Sequence, residues 1–240
     1  MSEIHSVFGD RGAGKSALLV HNLARIYFDY GQELLERSRR IVEKENETRK
    51  RKLTLPKKVP IYCNFKVQIT NADGSIYEPY YIKGSKIGIG EKYKKLYPCA
   101  VIFIDEAQNE FNSKNDLPRA VSAFFEKSRH PDFEIWIASQ RPILINKDIR
   151  DLSRHFIHIY KDLEMTEAHF GIICGLKWHC REFNSRADVD EYVELSRKNK
   201  AEIISYRETV YESGGEVLNY YDSKTYLKEY MPDEGSDYEN

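Results

Sequence analysis

Eight residues near the start of the chain, Gly9-Asp10-Arg11-Gly12-Ala13-Gly14-Lys15-Ser16, constrain its fold more than any other stretch. They fit G-x-x-x-x-G-K-[S/T], with I-H-S-V-F at 4–8 before them and an apolar run after them. The first run reads as a short strand. Leu18, Leu19, Leu23 and Ile26 recur at helical spacing, so residues 15–30 read as a helix. A loop that wraps a phosphate must turn its N–H groups inward and take dihedrals that a Cβ would block. The helix N-terminus adds partial positive charge and unpaired donors. Residues Gly9, Asp10, Arg11, Gly12, Ala13, Gly14, Lys15, Ser16 and Ala17 are therefore the predicted nucleoside-triphosphate cradle. Lys15 would reach the β- and γ-phosphates, and the Ser16 hydroxyl would hold Mg²⁺.

Hydrolysis needs more. A second acid must position Mg²⁺ from the end of a buried strand. P-C-A-V-I-F-I-D-E-A-Q-N-E-F, 98–111, holds an apolar run without alternation, as in a strand covered on both faces. It ends in Asp105, the predicted metal-side carboxylate, and Glu106, placed to orient and deprotonate water. Asn146-Lys147-Asp148 nearly matches the guanine-reading N-K-x-D, but its acid comes one residue early. F-E-I-W-I-A-S-Q, 133–140, is a second buried-type strand. In the hydrolase branch of phosphate-loop proteins such a strand lies between the loop strand and the Asp-Glu strand. Gln140 at its tip would face the γ-phosphate. R-H-F-I-H-I-Y-K, 154–161, reads as a third strand, and Asp116 can cap a helix running to about Arg129. Strands separated by helices imply a mainly parallel α/β sheet.

The 240 residues suit one α/β domain with appendages. Hydrophobic residues at 41% and charged residues at 31% mark a soluble globular class. A net charge of −1 gives no global attraction to nucleic acid or anionic membrane, so any basic surface is local. Such a patch is R-K-R-K-L-T-L-P-K-K, 49–58, a candidate contact for DNA or a virion, though Glu43, Glu45 and Glu47 stand close by to balance it. The seventeen tyrosines offer base stacking or, more simply, strand-face packing. Four cysteines without a zinc-type pair point to a reduced, cytoplasmic chain; the spacing of His169, Cys174, His179 and Cys180 fits no standard zinc site. The N-terminus carries no leader pattern, and no apolar run approaches the ~20 residues of a membrane span.

The expected organisation is an ATPase core over 1–162, with a charged helical insertion at about 31–58 and a hairpin at about 59–83. A β-rich extension over 163–232 and an acidic, disordered tail over 233–240 follow. The insertion reads as a surface helix ending before Pro56.

The series formed by the glycine loop, Asn64, Ile104 to Gln108, Arg129-His130, Ser139-Gln140 and Arg150 resembles the zonula occludens toxin (Zot) family. That family includes the filamentous-phage gene I assembly ATPases, within the HerA/FtsK group of P-loop motors. The match spans about residues 3–162. The resemblance implies a P-loop NTPase of the additional-strand, catalytic-Glu type that hydrolyses ATP with Mg²⁺. It implies a ring of like subunits, often a hexamer, driving virion extrusion or handling DNA. Phage coat and assembly proteins or viral DNA would be its partners. Zot-type proteins usually carry a membrane segment after this domain, so membrane contact is expected through a partner or a segment outside this sequence, at the inner face of the membrane. An arginine reaching across the ring is also implied: Arg129 first, then Arg150, with Arg119 and Arg154 as further candidates. Two other readings fit the same motifs, a viral genome-packaging or DNA-translocating ATPase and a nucleotide-gated scaffold without turnover.

Overall fold

The apolar runs around the glycine loop belong to one sheet. The computed structural model describes residues 3–82, 96–114, 116–127, 132–168, 172–196 and 206–221. β1 (Glu3–Gly9) lies between β7 (Glu134–Ser139) and β8 (His155–Ile159), both parallel to it. Beyond β7 come β6 (Val101–Ile104), β2 (Ile61–Cys63) and β5 (Tyr80–Tyr81), all parallel. Beyond β8 the sheet turns antiparallel, with β10 (Ile173–Phe183) and then β11 (Arg207–Gly214). The order is β11-β10-β8-β1-β7-β6-β2-β5, with β9 (Glu164–Glu167) on β10. The strand expected between the glycine-loop strand and the Asp-Glu strand is β7.

Strict alternation explains the unbroken apolar runs. Val7, Trp136, Ala138, Phe103 and Ile157 face α1 (Lys15–Thr48). Ile102, Ile104, Ile135 and Ile137 face the other way, toward Val121 and Phe125 of α2 (Arg119–Lys127) and Ile149 of α3 (Lys147–Leu152). α4 (Arg186–Ser196) covers Phe8, Phe156 and Phe183 with Val189 and Tyr192. The central strands bury both faces, and in β6 and the interior of β7 every residue is apolar.

Three expectations change. The helix read over 15–30 and the charged helix after it are one α-helix, 34 residues long. A glycine inside a helix costs about 1 kcal/mol relative to alanine, and here it serves close packing. A Cβ on Gly31 would meet Val59 Cγ2 at 3.3 Å. The helix ends at Thr48, and 49–58 returns along it in non-helical form. Arg39 Nε donates to the Pro56 carbonyl at 3.0 Å, and the Asn46 side chain bonds both the N–H and the carbonyl of Leu53. Second, α2 begins at Arg119, beyond Pro118, so Asp116 does not cap it. Third, the stretch after 163 contains a helix, α4, and its strands β9, β10 and β11 are hydrogen-bonded into the main sheet. The hairpin is present as β3 (Ile69–Thr70) and β4 (Ile76–Tyr77), turning at Gly74 with φ 81°. The expected acidic tail lies outside the described residues.

Ile137 is buried between the sheet and the helices α2 and α3. Ile137→Ala should cost about 2–5 kcal/mol in denaturant unfolding, whereas Arg51→Ala at an exposed site should stay within about 0.5 kcal/mol.

Candidate functional site

β1 ends at Gly9 and α1 begins at Lys15, so the glycine loop spans the strand-to-helix turn at the carboxyl edge of the sheet. Two of its glycines are obligatory. Gly12 and Gly14 have φ of 88° and 83°, in the left-handed region. Gly14 is also closely covered: a Cβ there would lie 2.9 Å from Trp178 Nε1 and 3.1 Å from Leu163 Cβ. Trp178, fully buried on β10, donates its indole N–H to the Gly14 carbonyl at 3.0 Å. The β10 strand thus holds the loop in shape. Sequence reasoning missed this role, because the two residues are 164 positions apart and nothing local links them.

Lys15 Nζ donates to the carbonyls of Gly9 at 3.0 Å and Asp10 at 2.9 Å. Burial lowers its pKa, while the charges of Glu106, Asp105 and Asp10 pull it back up. The ammonium therefore lies in the field of both predicted acids. Ser16 Oγ donates to Asp105 Oδ2, joining the first turn of α1 to the end of β6. Asp105 is 4% exposed, and burial raises its pKa against the opposing hydrogen bonds from Ser16 and the Glu106 N–H. A buried carboxylate and a hydroxyl in contact form a hard-oxygen pair of the kind Mg²⁺ takes alongside phosphate oxygens and waters. Ser16 and Asp105 fit that ion, and its charge would favour the ionised acid that burial disfavours.

Glu106 follows Asp105 with φ 47°, a left-handed conformation for a residue that is not glycine. Such a conformation costs on the order of 1 kcal/mol and gathers at functional sites. Its carboxylate accepts a bond from Gln108 Nε2, a partner that the sequence reading left without a role. Asn64, past the end of β2, bonds the Asp105 backbone twice: Nδ2 donates to its carbonyl at 2.9 Å, and Oδ1 accepts from its N–H at 2.8 Å. Phe8 pairs with Ser139, so Gln140 stands one step past β7, level with Gly9, and it is exposed. Lys15, Ser16, Asp105 and Glu106 thus share one edge of the sheet, with Gln140 just past the end of the intervening strand.

The arginines divide. Arg129 lies outside the described residues. Arg150 is 8% exposed, with Nη1 3.6 Å from Asp190 of the same chain. That inward ion pair does not suit a side chain meant to reach a neighbour. Arg119 and Arg154 are exposed. Asn146 caps α3, accepting from the Asp148 N–H at 2.9 Å, which accounts for the near match to a guanine-reading motif. Cys180 is buried in the core and His179 Nε2 lies 2.7 Å from Glu164 Oε1. Among the described residues no group of three metal-binding side chains forms, and no helix is long and apolar enough to cross a membrane. A cleft of about 650 Å³ lined by Cys63, Phe65, Gln68, Tyr81 and Tyr220 includes no residue of the glycine loop.

Two outcomes test this geometry. Trp178→Phe keeps the apolar bulk and removes the indole donor, while the Gly14 carbonyl keeps the Leu18 N–H at 2.9 Å; the loss is about 0.5–1.5 kcal/mol, and nucleotide titration should show weakened binding. Asp105→Asn should raise the melting temperature of the metal-free protein while abolishing the added stability from Mg²⁺ and nucleotide. The sign follows from the raised pKa. Ionised Asp105 opposes folding, so its cost disappears as pH falls through the folded value, and Mg²⁺ affinity should weaken over the same range.

No family model matches the chain, and no curated protein matches it. Among solved structures, the N-terminal domain of zonular occludens toxin from Neisseria meningitidis is similar with a TM-score of 0.52 and 17% identity, covering 92% of this chain and 100% of that one. The DNA-packaging ATPase B204 of Sulfolobus turreted icosahedral virus aligns with a TM-score of 0.46 and 12% identity, covering 87% and 91%. With β7 between the glycine-loop strand and the Asp-Glu strand, the chain has the fold of a Zot-like P-loop NTPase domain.

Proposed function

We propose that the protein is an Mg²⁺-dependent ATPase whose turnover drives assembly of a filamentous virion or a related mobile element. The observation that carries the enzymatic part is the convergence of Lys15, Ser16, Asp105 and Glu106 at one edge of the sheet. Ser16 and Asp105 would hold Mg²⁺, which neutralises charge on the β- and γ-phosphates. Lys15 would leave its backbone acceptors for phosphate oxygens. Glu106 would take a proton from the attacking water, and Gln140 would help orient that water. The motor part rests on the Zot-like fold and on the motif series of the first 162 residues.

A ring would bring an arginine of a neighbouring subunit to this edge. Phosphoryl transfer gains about 10³–10⁵-fold from an arginine at the γ-phosphate. Arg150 is tied to Asp190, so Arg129 is our choice for a side chain acting on the neighbouring subunit's nucleotide.

Lys15→Ala should abolish ATP binding with the fold intact by circular dichroism; equal binding by both proteins would remove the phosphate-cradle assignment. Glu106→Gln keeps shape and removes the base. Turnover should fall about 10²–10⁴-fold with ATP trapped, and retained turnover would pass the role to another group. Arg129→Ala, inactive alone, should regain activity when mixed with Glu106→Gln, because some interfaces then join two intact halves. Mixed rings confirmed by sizing yet still inactive would return Arg129 to a structural role.

A further inference from the structure

Glu106 must hold its carboxylate still through a strained backbone; Gln108, Asp105 Oδ1 and the Asn109 N–H bond it locally, and a further restraint on the residue before it comes from the end of a different strand. β2 pairs with β6 only as far as Cys63 opposite Phe103, and the Asn64 N–H reaches the Phe103 carbonyl at 3.3 Å. There the backbone ladder stops. The Asn64 side chain takes over, with Oδ1 accepting from the Asp105 N–H at 2.8 Å and Nδ2 donating to the Asp105 carbonyl at 2.9 Å. Nδ2 also lies 3.3 Å from Glu110 Oε1. The amide thus imitates a strand residue and pins both backbone polar groups of Asp105, one in each of the peptide units that flank it, while the Glu106 N–H is held by Asp105 Oδ1 at 2.8 Å. Immediately after this pinned residue, φ turns to 47°. Asn64 is itself buried, so water cannot replace these bonds one for one.

We infer that Asn64 is the positioning residue for the proposed base, acting through the Asp105 backbone to hold Glu106 in its left-handed conformation. The inference rests on the ATPase reading for its kinetic consequence but not for its structural one. Asn64 touches neither Lys15 nor the glycine loop in any contact described above. Its loss should therefore spare the affinity for metal-free nucleotide, which rests on the loop, and affect the chemical step, where a displacement of about 1 Å can cost about 10²-fold.

The test uses the full chain with two substitutions. Asn64→Ala removes both bonds. Asn64→Asp retains an acceptor for the Asp105 N–H and turns the donor into an oxygen facing the Asp105 carbonyl and Glu110, so it separates the two bonds, and equilibrium unfolding of both variants establishes that they are folded before exchange is read. Hydrogen exchange of the Asp105 amide is measured first, since it needs no activity. Protection should be lost in Asn64→Ala and retained in Asn64→Asp. Crystal structures of the variants should show Glu106 leaving positive φ in Asn64→Ala. Steady-state kinetics should then give a kcat lowered about 10²-fold for Asn64→Ala, with the Kd for ATP in the absence of Mg²⁺ within about twofold of wild type. Unchanged Glu106 geometry with a protected Asp105 amide in Asn64→Ala would overturn the inference, whatever the activity. So would a wild-type kcat, or a Kd that rises by the same factor as kcat falls. A wild-type chain that binds ATP without releasing phosphate would instead refute the ATPase reading, and the exchange and crystallographic results would still decide the role of Asn64.

Discussion

The bond between the Ser16 hydroxyl and the Asp105 carboxylate joins two segments 89 residues apart, and the site depends on it. Those segments meet because β7, which follows both in sequence, inserts between β1 and β6. All three strands are parallel, so their carboxyl ends lie along one edge. The glycine loop, the paired acids and Gln140 each begin where one of these strands stops. A ligand of open α/β sheets is expected at that edge.

The same burial acts on the two charges in opposite directions, pushing the Lys15 pKa down and the Asp105 pKa up. Each is partly restored by the other. The protein thus keeps two charges largely out of water whose strongest compensation would come from a ligand carrying both signs, a phosphate chain with a bound cation. Stability is spent here on function: a glutamate in the left-handed region and a buried acid both cost free energy in the free protein. The surrounding framework supports them through Trp178 under Gly14 and Asn64 beside Asp105.

Much of this was legible in the sequence. The glycine loop announces itself because a phosphate cradle needs a fixed spacing of residues without side chains. β6 and β7 announce themselves because a strand covered on both faces favours an unbroken apolar run. What stayed hidden was nonlocal. The composition shift at Gly31 suggested a break, yet Val59 packs against that glycine and the helix runs on. The region after 163 looked like a separate β-rich piece, but the partner of β10 is β8, a strand of the core. Arg150 looked suitable for a neighbour's phosphate until Asp190 appeared beside it. Periodicity reports which face of an element is buried; it does not report what covers that face.

The central claim is that the edge formed by β1, β7 and β6 holds Mg²⁺ and a nucleoside triphosphate together. A crystal structure of the chain with Mg²⁺ and a slowly hydrolysed ATP analogue tests it most directly. The account predicts that Lys15 Nζ leaves the Gly9 and Asp10 carbonyls for phosphate oxygens, and that a metal ion takes the place of the bond between Ser16 and Asp105. Nucleotide bound elsewhere, or bound here with Lys15 still on its backbone acceptors and no metal between Ser16 and Asp105, would contradict it.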